Sequence, residues 1–103
     1  MRRYNQHVAS TNMLALPGGD LVMAGLRDLR AGVESIEAAL VRIGATNLRA
    51  HGLDVPAINA RQSAEHSLYS LLAAKYGNAA HSQYNALLRR LVSFERALAC
   101  ANR

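Results

Sequence analysis

The middle of the chain carries an apolar seam in which hydrophobic residues recur at alternating spacings of four and three residues. The positions of this main seam are Val22, Leu26, Leu29, Val33, Ile36, Leu40 and Ile43. The spacing places all of these side chains on one stripe of a helix, and such a stripe must be covered by other apolar surface. The main seam therefore predicts a helical protein and the region that supplies its core or an oligomer interface.

Glycine and serine residues leave two interpretations of the main seam. A helix over 21–31 either continues through Gly32 to the end of the seam, or stops with Gly32 as its C′ residue. In the second case Ser35 is the N-cap of a new helix over 35–43. The Gly-x-x-Ser arrangement favours the break, because it stops and restarts a helix with little strain. Gly52 is expected to end a later short turn in a Schellman motif.

The second half of the chain predicts further helical segments. A short turn covers 48–51, a longer helix covers 57–76, and a last helix covers 79–100. Gly77 and Asn78 supply a C′ glycine and an N-cap in consecutive positions, which is typical of a tight helical hairpin. The sequence thus predicts an all-α, four- to five-helix bundle with a C-terminal antiparallel helical hairpin, and no strand.

Residues 1–19 are predicted to form a flexible N-terminal lead in front of a single helical domain over 20–103. The lead has no hydrophobic period and ends at the helix breaker Pro17-Gly18-Gly19. Because the chain has 103 residues, it has room for one hydrophobic core and therefore one domain.

Small residues at Gly25, Gly32 and Ala39 recur every seven positions beside the main seam. Such a row allows the backbone of another helix to approach closely. The approaching helix belongs either to this chain or to another copy of it.

The composition suits close-packed helices in a soluble protein. Half of the residues are hydrophobic, yet only five are aromatic, so most of the apolar content is aliphatic. No stretch approaches the roughly 18 uninterrupted apolar residues of a membrane span, and no secretory signal is recognisable. Cys100 is the only cysteine, which excludes an intramolecular disulfide bond and suits a reducing compartment. We therefore expect a cytoplasmic protein with no membrane association.

The formal net charge of +5 is unevenly distributed. Charges balance over 20–51, whereas six basic and two acidic residues follow Asp54. A basic ridge on the predicted last helix consists of Arg89, Arg90, Arg96 and Arg103. A ridge of this kind can follow the phosphates of a nucleic acid. An ordinary solvated helix face is the favoured interpretation, since no aromatic residues alternate with the arginines.

A polar patch interrupts the apolar stripe of the predicted helix 57–76. Its members are Arg61, Gln62, Glu65, His66 and Tyr69. On a helix, Arg61 and Glu65 stand at i,i+4 and suit an ion pair. The patch can hold a ligand or provide an acid–base pair, but a surface ion pair on an outward-leaning helix is the favoured interpretation.

Arg61-Gln-Ser-Ala-Glu-His66 also has the R-x4-H outline, which resembles the motif of HEPN-type ribonucleases. The resemblance covers two residues and implies that Arg61 would stabilise a scissile phosphate while His66 moved a proton. Gln62 stands where the family usually has Asn, Asp or His. A full helix also follows the motif here, whereas the family places it late in its bundle.

No motif specifies a catalytic, metal or cofactor site: the histidines are scattered, and no glycine-rich phosphate loop follows a strand. Further apolar positions include Leu71, Leu88 and Val92, and a second heptad-like seam on the predicted last helix consists of Tyr84, Leu87, Leu88, Leu91, Phe94 and Leu98. Together with the main seam, these positions supply more apolar surface than a short chain is expected to cover alone. We therefore predict a non-enzymatic interaction module without a cofactor, which forms a homodimer and binds a protein partner. The alternatives are a nucleic-acid-associated protein that uses the basic C-terminal half and, less favoured, a HEPN-like ribonuclease.

Overall fold

The computed structural model describes residues 12–101, and these form helices joined by loops and turns. The α-helices are α1 (Gly19–Ala31), α2 (Ile36–Ile43), α3 (Ala45–Ala50), α4 (Ala64–Tyr76) and α5 (Ala80–Ala101). Short 3-10 helices cover Met13–Ala15 and Gly77–Ala79. No β-strand occurs within residues 12–101, and the all-α prediction is confirmed. In sequence order, α1 packs on α2, α2 packs on both α4 and α5, and α4 packs on α5.

Gly32 divides the main seam between two helices. Its φ of 73° lies in the left-handed region, which glycine adopts without steric strain. The Gly32 amide donates to the Leu29 carbonyl at 3.2 Å, and the Val33 amide donates to the Asp28 carbonyl at 2.8 Å. These two bonds form a Schellman motif. The predicted break is confirmed, and a single continuous helix is excluded.

Ser35 caps α2 and also connects it to α1. Its hydroxyl oxygen accepts a hydrogen bond from the Ala38 amide at 3.0 Å, as expected for an N-cap. The same hydroxyl donates to the Asp28 carboxylate at 2.7 Å. One small side chain therefore fixes both the start of α2 and its position relative to the end of α1.

Replacing Ser35 by Ala is expected to lower the free energy of unfolding by about 1 kcal/mol, because an N-cap bond is lost. Chemical denaturation followed by circular dichroism measures this change. Ser93→Ala is the matched control, since Ser93 is an exposed serine inside α5 and caps no helix. Equal unfolding midpoints for the wild-type protein and Ser35→Ala would show that the cap contributes nothing.

The helices α1 and α2 approach most closely at Gly25. This glycine is buried, and a Cβ at this position would overlap the Glu37 carbonyl oxygen and Cγ2 of Val41. By contrast, a Cβ on Gly32 would meet no atom within 4 Å. The close approach predicted for the small-residue row therefore occurs at Gly25, and there it is a contact within this chain.

The hydrophobic core contains side chains from all five α-helices of the described region. The main seam contributes the buried residues Val22, Leu26, Leu29 and Leu40, with Ile36 and Ile43 partly buried against them. The other large buried residues include Leu48, Leu68, Leu72, Phe94 and Leu98. Val33 is the exception in the main seam, because the Schellman turn carries it out of the helical stripe and leaves it 48% exposed.

The helix α3 begins at Ala45, three residues before the predicted turn 48–51, and ends at Ala50, one residue before the predicted end. The Gly52 amide donates to the Arg49 carbonyl at 3.1 Å, and the Leu53 amide donates to the Leu48 carbonyl at 3.0 Å. Gly52 has a φ of 98°. The predicted Schellman motif at Gly52 is confirmed.

The helix α4 begins at Ala64, so the prediction that residues 57–63 are helical was wrong. The Ser63 hydroxyl oxygen caps α4 by accepting from the His66 amide at 3.1 Å. Before this cap, side chains from other helices bind the backbone of the connector. The Arg49 guanidinium donates to the Val55 carbonyl at 3.0 Å, and the Arg42 guanidinium donates to the Gln62 carbonyl at 3.0 Å. These bonds, one across six residues and one across 20, accompany a non-helical conformation that local helix propensity did not predict.

The part of the chain before α1 also contacts the core. Met13 and Leu16 are partly buried against it. Gly19 is buried where a Cβ would overlap the Met13 carbonyl oxygen. The packed region thus includes residues in front of the predicted boundary at residue 20. Residues 1–11 of the predicted flexible lead lie outside the described residues, and for them the lead remains a prediction.

Candidate binding groove

A groove of about 590 Å³ lies between the end of α1, the helix α2, residues 58–62 and α4. Its apolar lining consists of Leu29, Val33, Ala38, Ala39, Ile58 and Leu71. Its charged lining consists of Glu34, Arg42 and Arg61. This volume is in the range of typical ligand pockets, and the mixture of apolar and charged side chains suits binding.

The groove lies where α1 ends and where the chain has not yet entered α4. The Schellman turn at Gly32 ends α1 and turns Val33 outward, and the Ser63 cap starts α4 late enough for residues 58–62 to form a separate wall. The hydrogen bond from Arg42 to the Gln62 carbonyl connects that wall to α2. As a result, Val33 and Ile58 are large aliphatic side chains that line the groove while 48% and 44% exposed.

Opposite charges lie at the two ends of α2. Glu34 is exposed just before the helix begins, and Arg42 is half-buried in its last turn, beside the segment that carries Arg61. The six helical steps from Ile36 to Arg42 span about 9 Å at about 1.5 Å per residue, and Glu34 lies beyond the extended cap residue Ser35. The ion pair of Arg90 with Asp20 lies outside the groove lining. Glu34 and Arg61 are exposed in the groove lining and present their charges to solvent.

The structure divides the predicted polar patch. Arg61 and Gln62 line the groove, whereas Glu65, His66 and Tyr69 are exposed on α4 and do not. Arg61 precedes the helix, so the assumed helical i,i+4 spacing to Glu65 was wrong. For the same reason, the R-x4-H residues Arg61 and His66 do not share one helix.

Tyr69 belongs to an aromatic contact instead of the groove. Its ring centroid lies 5.6 Å from that of Tyr84 on α5, with the rings tilted by 55°. Such tilted pairs are favourable for aromatic rings. The contact places Tyr69 at the packing boundary of α4 and α5, although its side chain remains exposed.

Three members of the basic ridge, Arg89, Arg90 and Arg96, are exposed on α5, and Arg103 lies outside the described residues. The Arg90 guanidinium donates to the Asp20 carboxylate at 3.1 Å and so connects α5 to the start of α1. Both side chains of this pair are exposed, and its contribution to stability is small. Arg89 and Arg96 are seven residues apart and lie on one face of α5.

Burial raises the pKa of the Glu95 carboxyl, while a hydrogen bond from the Asn47 side chain and the charge of His51 act in the opposite direction. Glu95 also lies beside Gly44, where a Cβ would be 2.8 Å from its carboxylate oxygen. These residues lie where α5 faces Gly44 and α3, away from the groove lining. The Glu95 carboxyl therefore does not line the groove and would not contact a molecule bound there.

Within the part of the chain that the structure describes, no group of three His, Cys, Asp or Glu side chains is placed to hold a metal ion. No helix among residues 12–101 is long and apolar enough to cross a membrane.

Comparison of the chain with models of protein families, with curated proteins and with solved structures finds no match. The groove itself is therefore the basis for a functional argument.

The sequence reasoning missed the groove and the role of Ile58 in it. The cause was the prediction of helix over 57–63, which placed Ile58 in an internal apolar stripe. One local signal for the correct helix start was present, because Ser63 is a good N-cap residue directly before Ala64 and Glu65.

Proposed function

We propose that this protein is a non-enzymatic helical interaction module and that the groove binds an apolar protein segment, from a partner or from a second copy. The exposure of Val33 and Ile58 along an apolar groove carries this proposal. Aliphatic side chains that remain in water beside a concave apolar surface, rimmed by polar groups, are typical of interaction sites. Binding would remove both side chains from water.

The chemistry of the lining favours binding over catalysis. No histidine or cysteine is among the residues that line the groove. The Ser35 hydroxyl donates to the Asp28 carboxylate and accepts from the Ala38 amide, and the groove lining offers no histidine to form a Ser–His pair with it. The remaining polar side chains suit orientation of a bound segment through charge and hydrogen bonds.

We also propose that α4 and α5 form an antiparallel hairpin within a four- to five-helix bundle. The connection between them is the 3-10 helix Gly77–Ala79, and the two helices pack on each other. A tight connection of this kind is typical of antiparallel neighbours. We retain a cytoplasmic location as part of the proposal, with Cys100 as the single cysteine supporting a reducing compartment.

The exposed apolar surface that supports self-association lies at the groove. Of the extra apolar positions named from the sequence, Leu71 and Leu88 pack against the core, and Val92 is 41% exposed. The chain therefore covers most of the apparent surplus itself. The support for a homodimer now comes from Val33 and Ile58 at the groove.

The nucleic-acid alternative retains one supporting observation, which is the exposed pair Arg89 and Arg96 on one face of α5. Two arginines make a small phosphate-binding surface. Arg90 forms an ion pair with Asp20, which partly neutralises its charge. We therefore place this function second.

Selection of peptides from a random display library on the immobilised protein tests the groove. We expect apolar peptides whose affinity falls about tenfold or more, equivalent to about 1.4 kcal/mol, in the double variant Val33→Asp/Ile58→Asp. Val92→Asp is the matched control, because it places the same charge on a similarly exposed aliphatic position outside the groove. If every selected peptide bound the groove variant and the wild-type protein equally, the proposed function would be wrong.

A further inference from the structure

We infer that the groove is occupied by a second copy of this chain, in a two-fold interface where the groove of each copy faces that of the other. This inference rests on the proposed function of the groove and names its partner. It depends on the opposite charges near the two ends of α2 and on the exposed aliphatic side chains in the groove walls, which a second copy matches.

The opposite charges near the two ends of α2 are self-complementary under a two-fold rotation. Glu34 marks one end of the groove, and Arg42 with the neighbouring Arg61 marks the other. In a two-fold interface, the contact between residue i of one copy and residue j of the other occurs twice. An axis that crosses the middle of α2 therefore brings Glu34 of each copy towards Arg61 of the other, and both ends are paired at once.

The exposed aliphatic side chains Val33 and Ile58 lie in different walls of the groove. Val33 lies beside Glu34 at the acidic end. Ile58 lies in the opposite wall, in a segment bounded by two hydrogen bonds. At one boundary the Asp54 carbonyl accepts from Arg30 at 3.4 Å, and at the other the Gln62 carbonyl accepts from Arg42 at 3.0 Å. Antiparallel alignment of the two copies places Val33 and Ile58 in the interface beside the paired charged groups.

Pairing of Glu34 with Arg61 between copies also reduces the electrostatic repulsion between the two positively charged chains. Two copies that each carry a formal charge of +5 repel one another. An interface with Glu34 opposite Arg61 of the other copy, formed twice, replaces part of that repulsion by local attraction. An unrelated segment would have to present a basic group opposite Glu34 and an acidic group opposite Arg61 to match the same groove.

Light scattering of the full chain over a wide concentration range measures the association. We expect a mass of twice 11.1 kDa. Val33→Asp/Ile58→Asp should give monomers with unchanged helical circular dichroism, whereas Val92→Asp should remain dimeric. A monomeric mass at all concentrations would overturn the inference, and so would a dimer that survives the groove substitutions.

Charge reversal identifies the pairing directly. Glu34→Arg makes both ends of the groove basic, and Arg61→Glu makes the Arg61 positions acidic, so each single variant should self-associate about tenfold more weakly or worse. Mixed together, the two variants should form a mixed dimer of near wild-type affinity, because each end then faces an opposite charge. Both positions are exposed, so the fold should be retained, which circular dichroism checks.

Failure to form the mixed dimer would overturn the pairing of Glu34 with Arg61 between copies. The outcomes for the two proposals remain distinguishable. A strictly monomeric chain that still binds groove-dependent peptides retains the interaction function with a different partner. A chain with no groove-dependent peptide and a dimer unaffected by the groove substitutions contradicts both.

Discussion

Leu40→Ala is expected to lower the free energy of unfolding by about 2–5 kcal/mol, the usual range for a large-to-small change in a core. Leu40 lies within α2 and is 0% exposed. Its truncation removes buried apolar groups and leaves a cavity that the surrounding helices fill only in part. Urea denaturation followed by circular dichroism gives the difference from the wild-type protein.

Val92→Ala is the matched control, since Val92 is an aliphatic side chain outside the main seam and outside the groove lining. Its side chain is 41% exposed, so the loss should be within about 0.5 kcal/mol, as for ordinary surface positions. A Leu40→Ala midpoint no lower than that of Val92→Ala would contradict the assignment of Leu40 to the core.

Gly25→Ala is expected to destabilise the fold by about 1–3 kcal/mol through overpacking. Alanine favours an isolated helix over glycine by about 1 kcal/mol, so local propensity alone predicts the opposite sign. Packing decides the outcome, because the new methyl group would overlap the backbone carbonyl of Glu37 as well as the side chain of Val41. A backbone carbonyl cannot rotate away as a side chain can, and α2 must move from α1. A thermal melt at fixed protein concentration measures the loss.

Gly32→Asn is the control for this prediction. Gly32 lies in the same small-residue row, but its Cβ position is open, and asparagine tolerates the left-handed conformation better than most residues. We expect a much smaller change there. If Gly25→Ala left the melting temperature unchanged but altered the solution mass, the small-residue row would serve contacts between copies instead of the α1–α2 contact.

The helix ends that were predicted correctly depend on local chemistry. Gly32 and Gly52 end helices because their left-handed backbone allows the Schellman bonds, and Ser35 starts α2 because its hydroxyl caps the Ala38 amide. Each of these interactions joins residues at most five positions apart. A single sequence contains the information needed to recognise them.

The segment 57–63 shows the opposite case. Its composition allows a helix, but Arg42 binds the Gln62 carbonyl across 20 residues, and the Ser63 cap starts α4 only at Ala64. Nothing in the local pattern indicates which backbone carbonyl a distant guanidinium will reach. The helical prediction for this segment failed, and the polar patch built on it was divided as a consequence.

The sequence by itself determined that this chain is all-α, and it favoured a break of the main seam at Gly32 with Ser35 as the next N-cap, because period and capping act over one or two helical turns. Only the tertiary structure decided that α2 of the same chain packs against Gly25 and that Val33 and Ile58 line one groove. Those outcomes depend on how helices from distant parts of the chain meet. The periodicity of a helix defines which face is apolar, whereas the neighbour that covers the face is selected by packing of the whole molecule.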